Sequence, residues 1–163
     1  NGKKFNMHRN FDILKSAMGL MPQNVIVFND TIKNNLTFTD HNNNQTFNKK
    51  SLLLFALEGA DIKREYKILK NKNIGFSGSK LSGGQIQRIG IARTIYSDRR
   101  ILIFDEPTNS LNKEKTFKVI KFLNQIKKNR IIIIISHDDS LDRFSDEIYL
   151  FKNKKLSKKK RWS

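Results

Sequence analysis

A short apolar run that ends in two acids and a proline is the feature that most constrains the fold of this chain. Residues 101–104 read Ile-Leu-Ile-Phe, and Asp105, Glu106 and Pro107 follow directly. Such a run is typical of a strand buried on both faces of a parallel sheet, and proline ends the ladder. Because adjacent strand residues point to opposite faces, we expect different roles for Asp105 and Glu106. Ligands of open α/β sheets bind beyond this edge, where carboxylate oxygens suit Mg²⁺.

A second segment carries the pattern of a helix that begins beside an anion. Ser82 and Gln85 have capping-box spacing, so a helix is predicted to start there. Gly83 and Gly84 would each cost about 1 kcal/mol of helix propensity relative to alanine. Glycines at a helix start let an anion, such as phosphate, approach the free backbone N–H groups. The alternative is a glycine-rich turn before an ordinary amphipathic helix, because four isoleucines have helical spacing: Ile86, Ile89, Ile91 and Ile95.

With two further segments, these two resemble the ATP-binding cassette (ABC) family, in the order in which that family carries them. LSGGQIQR (the signature segment, residues 81–88) resembles the family's signature, ILIFDEPT its Walker B strand and IIIIISHD its switch-histidine strand. MPQNVIVFNDTIKNNL resembles the Q-loop of exporter-type nucleotide-binding domains. The resemblance implies an α/β fold, with a P-loop NTPase-like parallel sheet core and an inserted α-helical lobe, incomplete at the N-terminus.

The resemblance also implies ATP and Mg²⁺ as cofactors and a role for each candidate residue. Asp105 would hold Mg²⁺, directly or through water, and Glu106 would polarise the attacking water. His137 would contact the γ-phosphate, and Gln23 would sense the metal and couple the site to a membrane domain. Each residue also has a structural alternative: a solvated strand end for the acids, a structural histidine, and an ordinary loop amide for the glutamine. Phosphoryl transfer depends mainly on positioning and on neutralising charge, which fits these residue types.

In the same family pattern, the signature segment would contact ATP held by an opposing subunit. The residues concerned are Leu81, Ser82, Gly83, Gly84 and Gln85, with Asn112 as a further nucleotide-site candidate. Asn112 stands where the family usually has Asp, so a weakened or asymmetric site is expected. Phe76 stands where exporters usually carry Glu, which puts contact with transmembrane coupling helices in question.

The phosphate-cradling pattern Gly-x-x-x-x-Gly-Lys-Ser/Thr does not occur in these 163 residues. The nearest candidate, residues 75–80, has different glycine spacing, and Leu81 follows its lysine. Asn1 and Gly2 form a two-residue hairpin pattern with only one flanking strand. We therefore interpret the chain as the C-terminal two-thirds of a nucleotide-binding domain, which is expected to bind ATP poorly by itself.

Composition limits the alternatives. The chain has 32 Lys and Arg against 15 Asp and Glu, a net charge of +17 and a pI of about 10.2, which raises nucleic acid as a partner. The basic residues are spread along the chain and accompany abundant Asn and Ile, as an A+T-rich coding sequence would produce, so nucleic acid is not the favoured partner. Residues 158–162 concentrate charge that suits anionic lipid or nucleic acid, with a solvated terminus as the preferred alternative. The absence of cysteine excludes disulfides, and no apolar run approaches the ~20 residues that a membrane span needs.

The predicted organisation has four parts. Residues 1–28 are the remnant of an N-terminal sheet subdomain up to the Q-loop, 29–80 a helical subdomain, 81–152 the signature helix with the sheet core, and 153–163 a basic tail. Predicted elements are a short helix at 12–16 with a strand after it, strands at 101–104, 131–135 and 147–151 (the last one), and a helix at 113–128. A loop is expected at 42–44 and a turn at Asn153 and Lys154, after the last strand. Inward-facing positions are predicted on two helices: Leu52, Leu53, Phe55, Ala56 and Leu57, and Phe117, Ile120 and Leu123.

The favoured function is ATP binding and hydrolysis by the nucleotide-binding domain of an exporter, at the cytoplasmic face of a membrane. Its expected partners are a second nucleotide-binding domain and a transmembrane domain, fused or separate. The alternative is a nucleic-acid-associated ATPase of the same superfamily or a catalytically silent basic binding module. Steep salt dependence of binding to DNA or RNA would favour that alternative.

Overall fold

A computed structural model describes residues 11–38 and 49–159. The helices, in chain order, are α1 (Phe11–Ala17), α2 (Ile32–Thr37), α3 (Lys49–Gly59), α4 (Lys63–Ile68), α5 (Gly83–Tyr96) and α6 (Lys113–Ile126). The strands are β1 (Met18–Met21), β2 (Ile101–Asp105), β3 (Ile131–Ile135), β4 (Tyr149–Lys152) and β5 (Lys155–Lys158). The hairpin pattern at Asn1, the loop predicted at 42–44 and the tail beyond residue 159 lie outside the described residues.

The core is a three-stranded parallel sheet in the order β1-β2-β3. In its register Met21 lies opposite Phe104, and Asp105 lies opposite Ile135. Helix α6 connects β2 to β3, as a parallel crossover requires. The predicted α/β class with a parallel sheet core is therefore confirmed, and the strand predicted at 131–135 has the predicted bounds.

The sheet is covered on one face only within the described residues. Leu102 and Phe104 of β2 are fully buried, whereas Ile103 is only partly buried. On β3 the residues in register with that second face, Ile131 and Ile133, are 60% and 44% exposed. The prediction that the run at 101–104 is buried on both faces is therefore wrong for this part of the chain. Side chains alternate along a strand, and Leu102 and Phe104 share the hydrophobic core with helix α5, which contacts β1 and β2.

A helical layer formed by α2, α3 and α5 carries the rest of the core. On α3, Leu53, Ala56 and Leu57 are buried as predicted. Phe55, also predicted to be buried, is 37% exposed and contacts the Phe122 ring, 4.9 Å away between ring centroids. Leu52 is partly buried against the core.

Helix α6 has a narrower buried face than the sequence pattern indicates. Ile120 and Leu123 are buried with Val119, but Phe117 is 47% exposed, so its predicted inward position is wrong. Phe117 lies roughly a third of a turn from the centre of the buried stripe, and its ring packs edge-on against Phe144. The helix ends at Ile126 and continues as a 3₁₀ turn, Lys127–Asn129, instead of reaching residue 128 as α-helix.

An antiparallel hairpin of β4 and β5 ends the described chain. Asn153 and Lys154 form its turn, as predicted, and both have positive φ. The strand predicted as the last is therefore followed by another, inside the predicted basic tail. Lys158 and Lys159 at its end pair with Glu147 and Asp142. None of the helices in the described ranges has the length and apolar character that crossing a membrane requires.

Candidate active site

Three segments that are distant in sequence meet at the carboxyl edge of the sheet. Gln23 comes two residues after β1, Asp105 is the last residue of β2, and His137 comes two residues after β3. Because the three strands are parallel and neighbouring, their ends bring these residues to one edge. Gln23 and His137 are exposed and Asp105 is partly exposed. The sheet thus gathers candidate residues that sequence reasoning had assigned separately.

Glu106 lies just beyond the strand, in a backbone conformation that few side chains adopt. Its φ is +48°, in the left-handed region, which costs a non-glycine residue on the order of 1 kcal/mol. Its N–H donates to the Ile135 carbonyl at 2.9 Å, and its own carbonyl accepts from the Gln87 side chain at 2.6 Å. The expectation that Asp105 and Glu106 alternate as strand neighbours is therefore wrong, since β2 ends at Asp105 and the chain turns at Glu106.

The Glu106 carboxylate is buried and only partly satisfied by hydrogen bonds. Its Oε2 accepts a long hydrogen bond, 3.4 Å, from the Ser136 hydroxyl, while Oε1 has no hydrogen-bond donor among the described residues. His137 Nε2 lies 3.6 Å from Oε1, and the His137 side chain is fully exposed. A buried acceptor without a donor is costly, so the environment of Oε1 suits a polar guest such as a water molecule.

The edge of the sheet fits a magnesium ion that shares its coordination with a phosphate. Within residues 11–38 and 49–159, no group of three or more His, Asp or Glu side chains could enclose a metal. Mg²⁺ is usually held by one or two carboxylates, with phosphate oxygens and waters completing its shell. Asp105, partly exposed at the strand end, provides a hard donor of that kind, and the Gln23 side chain is at the same edge.

The signature segment begins a helix of 14 residues whose N-terminus faces outward. Ser82 Oγ accepts from the Gln85 backbone N–H at 3.3 Å, and the Gln85 side chain accepts from the Ser82 N–H at 2.8 Å. The predicted capping box and helix start are therefore confirmed. Ser82 and Gly83 are exposed, whereas Leu81 and Gly84 are partly buried. The helix start is thus accessible to an anion from outside this chain.

The loop after Glu106 packs closely against that helix start. A Cβ on Gly84 would lie 2.7 Å from the Ser110 carbonyl oxygen, so only glycine fits there without a shift. Asn112 follows, and its side chain accepts from the Lys115 N–H at 2.9 Å, which caps α6. Asn112 therefore has a structural role that sequence reasoning had not assigned, and aspartate would serve that cap equally well.

Sequence reasoning missed two buried polar residues of the signature segment, Gln87 and Arg88. Arg88 donates to the Asp61 carbonyl, to Glu65 Oε1 at 2.7 Å and to the Gly84 carbonyl at 3.2 Å. Burial is the largest single influence on Glu65 and acts to raise its pKa. The hydrogen bond from Arg88, a backbone hydrogen bond and the charges of Arg88 and Lys115 together outweigh it, so the pKa of Glu65 is lowered. The sequence did contain a signal for their burial, because Gln87 and Arg88 stand between Ile86 and Ile89 on a helix with an apolar face.

A second surface carries exposed apolar side chains. Phe76 is 80% exposed in a 3₁₀ turn just before the signature segment. Ile26, Phe28 and Phe38 are also exposed, and the two rings stack edge-on at 5.3 Å. A cavity of about 290 Å³ adjoins these rings and is lined by Asp30, Asn34, Asn35 and Thr37 as well. Arg93 lies over the Phe38 ring, and burial lowers the pKa of Arg93 to about 10.

Comparison with known proteins places this chain in a family. The family model described as ABC transporter matches residues 1–109. An ATP-dependent lipid A-core flippase of Wigglesworthia glossinidia brevipalpis is 37% identical over 145 residues, covering 88% of this chain and 24% of the flippase. Multidrug resistance protein 1 of Plasmodium falciparum (isolate 3D7) is 30% identical over 188 residues, covering 88% of this chain and 13% of that protein.

A solved structure shows the same fold. The structure of a bacterial Atm1-family ABC exporter with ATP bound matches with a TM-score of 0.77 and 29% identity, over 88% of this chain and 25% of that one. The chain thus spans about a quarter or less of the length of these relatives.

Proposed function

Since this chain belongs to the ABC transporter family, as an exporter-type nucleotide-binding domain, we propose that it binds MgATP and hydrolyses it to power transport across a membrane. The observation that carries the proposal is the buried Glu106 carboxylate, with one unpartnered oxygen, at the sheet edge shared by Asp105 and His137. Ligands of open α/β sheets bind at such an edge. The three relatives described above support an exporter rather than a nucleic-acid-associated ATPase.

In this proposal Glu106 Oε1 accepts a hydrogen bond from the attacking water and orients it. Because the backbone N–H and the carbonyl of Glu106 are both hydrogen-bonded, its buried carboxylate needs little rearrangement to do this. His137 donates from Nε2 to an oxygen of the transferring phosphoryl group, and Gln23 contributes its amide at the same edge. Asp105 would hold Mg²⁺, which neutralises charge on the phosphates.

The exposed start of α5 has the properties needed to act on a second nucleotide. Residues 81–85 present a helix N-terminus to the outside, with Ser82 and Gly83 exposed. We assign to this helix start the binding of the γ-phosphate of ATP held by a second nucleotide-binding domain. Asn112, in the adjoining loop, would lie at the same nucleotide site. Anions are stabilised at such helix ends by free N–H groups and by the helix dipole.

A transmembrane domain, fused or separate, is the proposed partner of the exposed apolar surface. Phe76, Ile26, Phe28 and Phe38 supply that surface on the segments before the signature and after Gln23. Phe76 replaces the charge that exporters usually have with an aromatic ring, so an apolar contact is expected there. The domain would then act at the cytoplasmic face of the membrane. The proposal also keeps the predicted division of the chain into four parts, which end at residues 28, 80, 152 and 163.

The test is the ATPase activity of the complete transporter in lipid nanodiscs, with Glu106→Gln as the principal variant. Phosphate release is expected to fall by about 100-fold or more, because the amide cannot polarise the water. Glu58→Gln, which changes an exposed glutamate that pairs with Lys63 at 3.5 Å, is the matched control and should retain turnover. Absence of MgATP turnover in the unaltered transporter, or full turnover in Glu106→Gln, would contradict the proposal.

A further inference from the structure

We propose that Gln87 is a positioning residue that holds the Glu106 peptide and thereby joins the signature helix to the hydrolytic carboxylate of the same chain. The inference rests on the proposed function, since it assigns Gln87 a role in the turnover that Glu106 supports. It concerns a residue on the inner side of α5, away from the exposed helix start.

The contact is short, buried and long-range in sequence. The Gln87 side chain is buried, and its Nε2 donates to the Glu106 carbonyl at 2.6 Å, across 19 residues of sequence. The Gln87 amide donates to the Glu106 carbonyl, which takes no part in strand pairing because β2 ends one residue earlier, at Asp105. The pair is therefore a tether between a helix and the residue that follows a strand.

Glu106 needs a tether because its backbone lies outside regular structure. With φ at +48° it has left the strand, and strand pairing persists only on its N–H side, to Ile135. Gln87 fixes its carbonyl side. With both peptide groups held, the direction of the side chain is set, and Oε1 is kept near His137. Without the Gln87 donor, one of the two restraints on an unfavourable conformation is lost.

The tether also relates two nucleotide sites. Ser82 and Gln87 are separated by about 1.4 turns, or roughly 7.5 Å along one helix. The outer end of that helix faces the nucleotide of the second domain, while Gln87 contacts the glutamate that acts on this chain's own nucleotide. In this proposal, a displacement of the helix when its exposed end meets a phosphate is passed to the Glu106 carbonyl through the hydrogen bond from Gln87.

The test compares Gln87→Met with Thr94→Val in the complete transporter in nanodiscs. Methionine keeps the length and burial of Gln87 but removes the donor. Thr94→Val removes a buried hydrogen bond of the same helix, from the Thr94 hydroxyl to the Gly90 carbonyl at 3.0 Å, without touching Glu106. We expect Gln87→Met to lower kcat by about tenfold to a hundredfold with the KM for ATP unchanged, as misplacement of a catalytic group does. Thr94→Val should keep its kcat.

A second variant separates positioning from packing. In Gln87→Glu a protonated carboxyl can donate to the Glu106 carbonyl, whereas an ionised one repels it. The kcat of Gln87→Glu relative to the unaltered transporter is therefore expected to rise as the pH is lowered, and that of Gln87→Met is expected to stay flat.

The outcomes are distinguishable from failure of the proposed function. Turnover in the unaltered transporter that Glu106→Gln abolishes, together with unchanged kcat in Gln87→Met, would overturn the positioning role alone. Equal losses of kcat in Gln87→Met and Thr94→Val, with a flat pH ratio for Gln87→Glu, would show a packing effect and would also overturn it.

Discussion

At the residue scale, two adjacent glycines of the signature segment have different surroundings. A Cβ on Gly83 would come no closer than 3.8 Å to any neighbouring atom, an ordinary contact with the Ser110 side chain. A Cβ on Gly84 would lie 2.7 Å from the Ser110 backbone oxygen, which cannot move without the loop that leads to Asn112. Gly84 is thus required by packing inside this chain, whereas Gly83 is free for an external ligand.

Alanine at each glycine tests this difference. Gly84→Ala is expected to lower the free energy of unfolding by about 1–3 kcal/mol, because an added methyl group in a packed contact forces backbone shifts. Gly83→Ala is expected to keep or raise the stability, by up to about 1 kcal/mol, because alanine favours the helix. Denaturation by urea measures both. Equal destabilisation of the two variants would contradict the contact with Ser110.

At the element scale, an ionic cluster connects α5 and α6 to α4 and to the segment just before α4. Arg88 contacts Glu65 and Asp61, and Lys115 of α6 donates to Asp61 Oδ2 at 2.6 Å. Arg88 is buried, and among the described residues its charge partners lie on α4 or just before it. Since a buried charge without a partner is strongly unfavourable, this cluster fixes how the signature helix sits on the helical layer.

The pH dependence of stability tests the cluster. The lowered pKa of Glu65 means that its pairing stabilises the fold fully above the ordinary value of 4.5, and that this contribution is lost as the pH falls through the lowered pKa. Glu65→Gln is expected to be less stable at neutral pH by about 1–2 kcal/mol. The difference from the unaltered chain should shrink in acid below that pKa.

Glu58→Gln is the matched control for Glu65. Its partner Lys63 and Glu58 itself are both largely exposed, so a change below about 0.5 kcal/mol is expected at any pH. Thermal unfolding at neutral and acidic pH provides the comparison. A stability difference for Glu65→Gln that persists unchanged in acid would contradict the ion pair with Arg88.

At the scale of the whole molecule, the described sheet has a covered face and an apolar uncovered one. Leu20, Ile131, Ile133 and Ile135 remain 44–61% exposed at positions that share the uncovered face. These 163 residues contain no glycine-rich phosphate loop with its lysine. Within the described residues, the sheet edge presents the acids and His137, and the backbone cradle that would hold the β- and γ-phosphates is not among them.

Calorimetry on these 163 residues alone is therefore expected to show no micromolar binding of MgATP and no steady hydrolysis. The physical reason is that the cradle and its lysine supply much of the phosphate affinity in P-loop proteins. The complete transporter is the positive control. Micromolar affinity together with steady turnover in the isolated chain would contradict this expectation.

Local sequence patterns predicted the features that depend on residues close together in the chain, such as helix caps, strand bounds and turns. The capping box at Ser82, the strand at 131–135 and the turn at Asn153 are set by spacing and residue type within a few positions, and the structure confirms them. The edge was predicted as the ligand site from Asp105 and Glu106, whereas the meeting of Asp105 with His137 there comes from the parallel pairing of β2 with β3.

The amino-acid sequence by itself determined the α/β class, the order of the segments and the candidate residues, since periodicity and capping act over one or two turns. The tertiary structure alone decided which face of the sheet is covered, that Phe117 lies outside the buried stripe, and that Glu106 leaves the strand with its carbonyl held by Gln87. Those outcomes depend on contacts between residues 19 or more apart, such as Gln87 with Glu106 and Phe117 with Phe144, which no local pattern encodes.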